Sequence, residues 1–429
     1  MDTTLESAGS APEVEPLNRH SWFLQGFWAV IETRVETFVL LLMAACAVAL
    51  LVKAVPVPYV SALALVGLLG GLLLGPGQLQ LTHSLILFVL LPGLLFEAAF
   101  NLSWRELRAN LVAVLALATL GVFLTTAVVA LVGHAALGLA VPLAVLFGTM
   151  VSPTDPVAVV AVFRRLGIPA RLTNLVESES LLNDGTGVVL FTVALAATES
   201  ASPGIGAAAW EFLRLAVGGL GLGLLVGLML SFVTSRIDDF PVEITLTGIG
   251  AYGSYLLAET FHLSGILAVV AAGLVLGNLG RPRAMSPRTQ EAVNLFWDYV
   301  AFLLNSVVFL LVGLDVPWTE VRTELAAIAA AALITLLARA VAVYLVLGLL
   351  HPLPWRISFR WQHLVVWSGL RGAIAVALAL SLTERSSAFD SIRALVYGVV
   401  LVSILVQGVT IGPLARLLLN GGKEHSPNP

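Results

Sequence analysis

The chain has 429 residues, 59% of them hydrophobic and only 11% charged, with a net charge of −4 and a mean hydropathy of +0.97. That composition excludes a water-soluble globular domain and points instead to many membrane-spanning helices. Cys46 is the only cysteine, which excludes an intrachain disulfide and a cysteine-based metal centre.

In chain order, residues 1–20 read as a polar, acidic tail, and the Trp- and Phe-rich stretch 21–36 as an interfacial helix or an extension of the first span; together they form an N-terminal segment, 1–36. A transmembrane domain is expected over 37–420, followed by a short tail over 421–429. Thirteen spans are expected, starting near residues 37, 58, 81, 107, 139, 172, 208, 241, 263, 291, 320, 361 and 390. An odd count puts the termini on opposite sides of the bilayer. With the C-terminus inside, most loop Arg and Lys residues become cytoplasmic, including Arg105, Arg108, Arg164, Arg165, Arg171, Arg281, Arg283 and Arg288. The positive-inside rule therefore predicts N-terminus outside, C-terminus cytoplasmic, in a cell membrane.

The third span, "PGLLFEAAFNL", carries Glu97 near its inner end, where it either lines a cytoplasmic funnel or is solvated at the helix end. The fifth span contains "VSPTDPVAVV". Pro153 and Pro156 disfavour helical geometry at Ser152 and Asp155, so the span breaks there. Asp155 before Pro156 reads as the N-cap of a second half-helix, stabilised by the positive end of its dipole. A direct contact with an ion is the other reading. Thr154, at the break, offers a hydroxyl and an unwound carbonyl.

The sixth span reads "ESESLLNDGTGVVLF". Ser180 and Asp184 share one helical face, and Glu179 and Asn183 the adjacent one. Thr154 lies about 15 Å from Arg164 and Asp184 about 20 Å from Arg171 at helical rise, so both sit near mid-membrane. An intramembrane carboxylate marks a functional site by default, and Asp184 is the leading candidate. The glycines of "GGLGLGLLVGL" in the seventh span permit close helix packing. Asn305 and Arg339 are polar positions in the tenth and eleventh spans, with a packing or an accessory role. In the twelfth span, "WSGLRGAIAV" sets Arg371 between Gly369 and Gly372 as a second interruption. If spans one to six and eight to thirteen are inverted repeats, the two interruptions correspond, and such pairs mark a midplane transport site. Arg371 needs a buried anion, and Glu179 is the expected partner in a structural ion pair.

Taken together and in order, "SPTDPVAV", "ESLLNDGTG" and "SGLRGAIAVALAL" resemble the monovalent cation:proton antiporter-1 family, the NhaP-type and sodium–proton exchanger group. The resemblance runs from about residue 37 to 418 and includes "LLFEAAFNL", "NSVVFLLVGL" and "SILVQG". It implies an all-α polytopic homodimer in which helices five and twelve unwind and cross. It implies an ion site at Thr154, Ser180 and Asp184, with Asp155 and Asn183 beside it, and pairs Glu179 with Arg371. The Asn183–Asp184 sequence resembles the electroneutral branch.

The chemistry agrees with the residues. A hard cation wants several oxygen ligands, which a carboxylate, two hydroxyls and unwound carbonyls supply. Na+ is the expected cargo, with Li+ and K+ open because the same oxygens serve them. Proton and cation then compete at Asp184, which makes an exchanger and not an enzyme. An intramembrane aspartyl protease is disfavoured because no GxGD motif occurs, and a channel because it has no use for proton exchange. No nucleotide or cofactor motif is apparent, and no nucleic-acid partner is expected.

Overall fold

Proline, glycine and capping residues partition the apolar runs into helices. The computed structural model describes residues 36, 38–54, 57–74, 81–199, 204–351, 357–383 and 389–420. The expected interfacial helix and the 421–429 tail lie outside the described residues. Within them every regular element is helical.

The helices are α1 (Phe38–Val52), α2 (Tyr59–Leu74), α3 (Leu85–Asn101) and α4 (Trp104–Leu137). Two half-helices follow, α5 (Val141–Val151) and α6 (Val157–Leu166). Next come α7 (Ala170–Glu199) and α8 (Ile205–Thr234). Then α9 starts at Phe240–Gly248 and continues through a π-helical turn, Ile249–Gly253, into Ser254–Thr260. The chain proceeds through α10 (Gly265–Ala284), α11 (Pro287–Leu314) and a short connecting helix α12 (Trp318–Thr323). It ends with α13 (Leu325–Leu349), the half-helices α14 (Phe359–Trp367) and α15 (Ala373–Thr383), and α16 (Asp390–Leu419).

Caps account for several starts. Ser286 accepts from the Thr289 amide at the head of α11, with Pro287 at the first helical position, and Ser358 does the same for Trp361 in α14. Among the described residues, seven helices are long and apolar enough to cross a membrane, including α4, α7, α8 and α11, and five further apolar helices are shorter. The starts agree with the sequence reading to within a few residues; the largest shift is at α13, where α12 takes up the expected start near 320.

Two groups of helices emerge from the packing. In the first, α2 packs along α11, and α10 lies against both α3 and α8. In the second, α4 packs on α5, α7 and α13, while α16 packs on α13 and α15. The α8 glycines act as expected in the first group: a Cβ added at Gly223 would lie 2.7 Å from the Ala268 Cα. The opposite face of α8 stays uncovered, with Trp210, Val217, Leu225 and Met229 exposed. That apolar face requires lipid or protein around it. Both broken helices belong to the second group, and their breaks meet at its centre.

Candidate functional site

The break between α5 and α6 is built by the two prolines. Ser152 to Pro156 leave the helix, and α6 resumes at Val157. The Val157 amide donates to Asp155 Oδ1 at 3.0 Å, a local turn just ahead of the second half-helix; the N-cap itself is Pro156, one residue after the expected Asp155, because the Pro156 carbonyl accepts the first helical bond from Val160. The break between α14 and α15 spans Gly369–Gly372. The two breaks cross and exchange partners. The Asp155 amide donates to the Leu370 carbonyl at 2.8 Å, and Arg371 Nε donates to the Val151 carbonyl at 2.7 Å. In an unbroken helix the Asp155 amide would have bonded Val151 itself. Each break thus satisfies the backbone group the other leaves open, as a membrane interior demands. Gly372 permits the approach: a Cβ there would sit 2.6 Å from the Asp155 Cβ.

Arg371 is therefore not the partner of Glu179, and the expected pairing is corrected. Glu179 forms a bidentate ion pair with Arg339 of α13, at 2.9 Å from Nη1 to Oε1 and 2.8 Å from Nη2 to Oε2. Both side chains are buried. Arg371, also buried, holds backbone instead: besides Val151 it donates to the Gly369 carbonyl, and its own amide donates to Ser403 Oγ at 3.0 Å. Ser403 opens the π-helical turn Ser403–Gln407 within α16. The physical reason lies in the breaks themselves. Unwound helix ends expose carbonyls that carry the negative pole of the helix dipole, and these hold Nε and Nη1 of the guanidinium in place of a carboxylate, while its buried Nη2 finds no partner among the described residues.

One turn on from Glu179, Asn183 is committed to the break. Its Nδ2 donates to Glu179 Oε1 at 2.7 Å and to Thr154 Oγ1 at 2.8 Å, while its Oδ1 accepts from the Thr154 amide at 3.1 Å. The Thr154 and Ser180 hydroxyls are 2.8 Å apart. A chain of contacts thus runs from Arg339 through Glu179 and Asn183 to Thr154, fixing the unwound segment against α7.

Beside this clamp lies a cavity of about 560 Å³. Thr154, Asp155, Asp184 and Gly372 line it, as do Glu97, Arg164, Glu177 and Asp298. Asp184 accepts no hydrogen bond from any described residue, so its carboxylate is left free towards the cavity. Ser180, Asn183 and Glu179 are not on the cavity wall and stand behind it. Asn305 lines the wall, and Glu97 does so too, which favours the funnel position over simple helix-end solvation. Glu177 escaped the sequence reading although the pattern carried it: Glu177, Leu181 and Asp184 follow helical spacing on α7, and all three line the cavity. Glu177 also holds Arg164 at 3.2 Å.

Elsewhere the two helix groups are tied together. Tyr397 of α16 donates to Asp315 at the end of α11, and His83 Nδ1 lies 3.0 Å from the Ala377 carbonyl of α15. Arg393 of α16 reaches Glu320 of α12 at 3.5 Å.

Two crossed, interrupted helices in a membrane-type bundle, with a free carboxylate at the crossing, define a secondary ion transporter. The comparisons with known proteins carry this further. The family model described as sodium/hydrogen exchanger, transmembrane, matches residues 38–417, and the chain belongs to that family. The Na(+)/H(+) antiporter NhaH of Halobacillus dabanensis is 36% identical over 392 residues, covering 88% of this chain and 96% of that protein. The antiporter ApNhaP of Aphanothece halophytica is 39% identical over 362 residues, covering 83% and 68% respectively. The solved structure of the sodium proton antiporter MjNhaP1 from Methanocaldococcus jannaschii has the same fold, with a TM-score of 0.76 at 23% identity, covering 91% of this chain and 99% of that one.

Proposed function

We propose that this chain is an antiporter that exchanges Na+ for H+ across a cell membrane by alternating access, with Asp184 as the residue both cations occupy in turn. The observation that carries the reading is the Asp184 carboxylate, which accepts no hydrogen bond from any described residue and lines the same cavity as the unwound Thr154–Asp155 segment. A proton neutralises Asp184 covalently. Na+ neutralises it by coordination, completed by Thr154 oxygen atoms and water, with Ser180 supporting the Thr154 hydroxyl. The same oxygen donors admit Li+ and K+.

Around the crossing, Glu179 is matched by Arg339, and Asp155 Oδ1 is engaged by the Val157 amide. Asp184 is left as the one carboxylate whose charge changes with cargo, which makes the exchange electroneutral. The polypeptide crosses the bilayer thirteen times with the N-terminus outside and the C-terminus in the cytoplasm, and it works as a homodimer. In that orientation the cavity, whose wall includes Arg164 and Asp298, opens to the cytoplasm. The Asp315–Tyr397 and Arg393–Glu320 contacts then close the outer side, so the conformation is inward-facing. Glu97, Glu177 and Asp298 give the entrance a cation-attracting field.

The test is Asp184→Asn, which keeps the shape of the side chain and removes its charge. Sodium-driven dequenching of a pH dye in everted vesicles should fall to background, while the purified variant remains monodisperse. Exchange at the parent rate would overturn the assignment.

A further inference from the structure

Glu97 reaches the cavity from α3, and the way it is held assigns a role to a neighbouring residue. Asn101 lies one turn further along the same helix, and its Nδ2 donates to Glu97 Oε1 at 2.8 Å. The Asn101 amide has only one admissible orientation. Its Oδ1 faces Arg281 Nη1 at 3.1 Å, and a guanidinium donates but never accepts. The carbonyl side must therefore face Arg281, which leaves the NH2 side to face Glu97.

Arg281 is itself fixed from several directions. The same Nη1 donates to Asn294 Oδ1 of α11 at 3.1 Å, and the guanidinium lies 4.8 Å from the centre of the Phe100 ring. Among the described residues it makes no ion pair with a carboxylate. It is linked to Glu97 only through the Asn101 amide, which accepts from Arg281 and donates to Glu97. α3, α10 and α11 thus converge on one object, the direction in which Asn101 donates.

We infer that Asn101, oriented by Arg281, is a positioning residue for cation entry: it holds Glu97 as an acceptor with one oxygen occupied and the other open to the cavity. An amide donor suits an ionised carboxylate, which only accepts. The remaining oxygen is then available to a hydrated monovalent cation on its way to Asp184. The other charged groups on this wall are Glu177 with its partner Arg164, and Asp298. None of them makes a hydrogen bond with Glu97, so Asn101 alone sets its direction.

The inference rests on the reading that this cavity is the cation route to Asp184, and the experiment separates the two. Exchange is measured in proteoliposomes as a function of Na+ concentration for the parent, Glu97→Gln, Asn101→Ala and the double variant. Loss of a hydrogen bond to a charged group should raise the apparent KM for Na+ in Asn101→Ala by about fivefold to tenfold, with the maximal rate within about twofold of the parent. In the Glu97→Gln background the same substitution should change nothing further, because Asn101 acts only through Glu97. If Glu97→Gln leaves KM at the parent value, the cavity is not the route and the underlying reading fails. If Glu97→Gln raises KM but Asn101→Ala does not, or adds its full effect in the double variant, the positioning role is overturned. Asn101→Asp supplies a variant of equal size: its carboxylate satisfies Arg281 and offers Glu97 no amide donor, so it should raise KM as Asn101→Ala does. A parent-like KM in a folded Asn101→Asp protein would equally refute the role.

Discussion

Arg339→Met isolates the buried ion pair that sequence reasoning assigned to the wrong arginine. In the parent, Glu179 Oε1 accepts from Arg339 Nη1 and from Asn183, and Oε2 accepts only from Arg339 Nη2. Removing the guanidinium leaves Oε2 without a partner and a buried anion without a counter-charge. Breaking a buried pair in this way costs about 3–5 kcal/mol, or about a hundred- to several thousandfold in the folding equilibrium. Glu179→Gln in the same molecule removes the stranded charge while keeping an oxygen that Asn183 can bond. The double variant should therefore recover most of the loss, because apolar or neutral replacements of buried pairs are often close to neutral. The assay is a double-mutant cycle on reversible unfolding of the detergent-solubilised protein, with Arg371→Met as comparison. Arg371→Met strands the Val151 and Gly369 carbonyls, at about 1–3 kcal/mol each, and Glu179→Gln should rescue none of that. A coupling of Glu179 to Arg371 and not to Arg339 would refute the reasoning.

Two further outcomes are expected. In proteoliposomes with a sodium gradient, clamped potentials of either sign should leave the exchange endpoint where it was; a reversal point that follows the voltage would make Asp155 or Glu179 a second proton carrier. Gly372→Ala should lower both stability and transport rate, since its Cβ would sit 2.6 Å from the Asp155 Cβ and relieving such a clash costs about 1–3 kcal/mol; unchanged thermal unfolding and exchange would show that the two breaks do not bear on each other there.

Local punctuation made much of this architecture readable. The prolines at 153 and 156 and the Gly-flanked Arg371 marked both breaks, and Asp184 stood out by its depth alone. Partner choice was not readable, for a physical reason. A sequence shows that a buried arginine must be satisfied but not by what, and it does not show that two unwound segments will lend each other backbone carbonyls. Arg339, in a plain apolar run, gave no sign that it faces Glu179 across the bundle. Asn183 was similarly ambiguous, because an amide beside a candidate carboxylate reads as a ligand until its three hydrogen bonds are counted. Glu177 was different, since helical spacing from Asp184 was enough to find it.

The corrected pairing changes the argument about charge. With Glu179 matched to Arg339, the charge of Arg371 needs another balance, and Asp155 is the carboxylate whose side chain lies against Gly372, its immediate neighbour. Each break carries one charged side chain, Asp155 on one and Arg371 on the other, and the two make no ion pair. Asp155 Oδ1 is engaged by the Val157 amide. Asp184 has no such duty: no described group donates to it, and it sits on the helix that Asn183 and Glu179 clamp to the break. Thr154, Ser180, Asn183, Glu179 and Arg339 hold one another, and Asp184 beside them accepts no hydrogen bond from any described residue, which is why the proposed exchange is assigned to it.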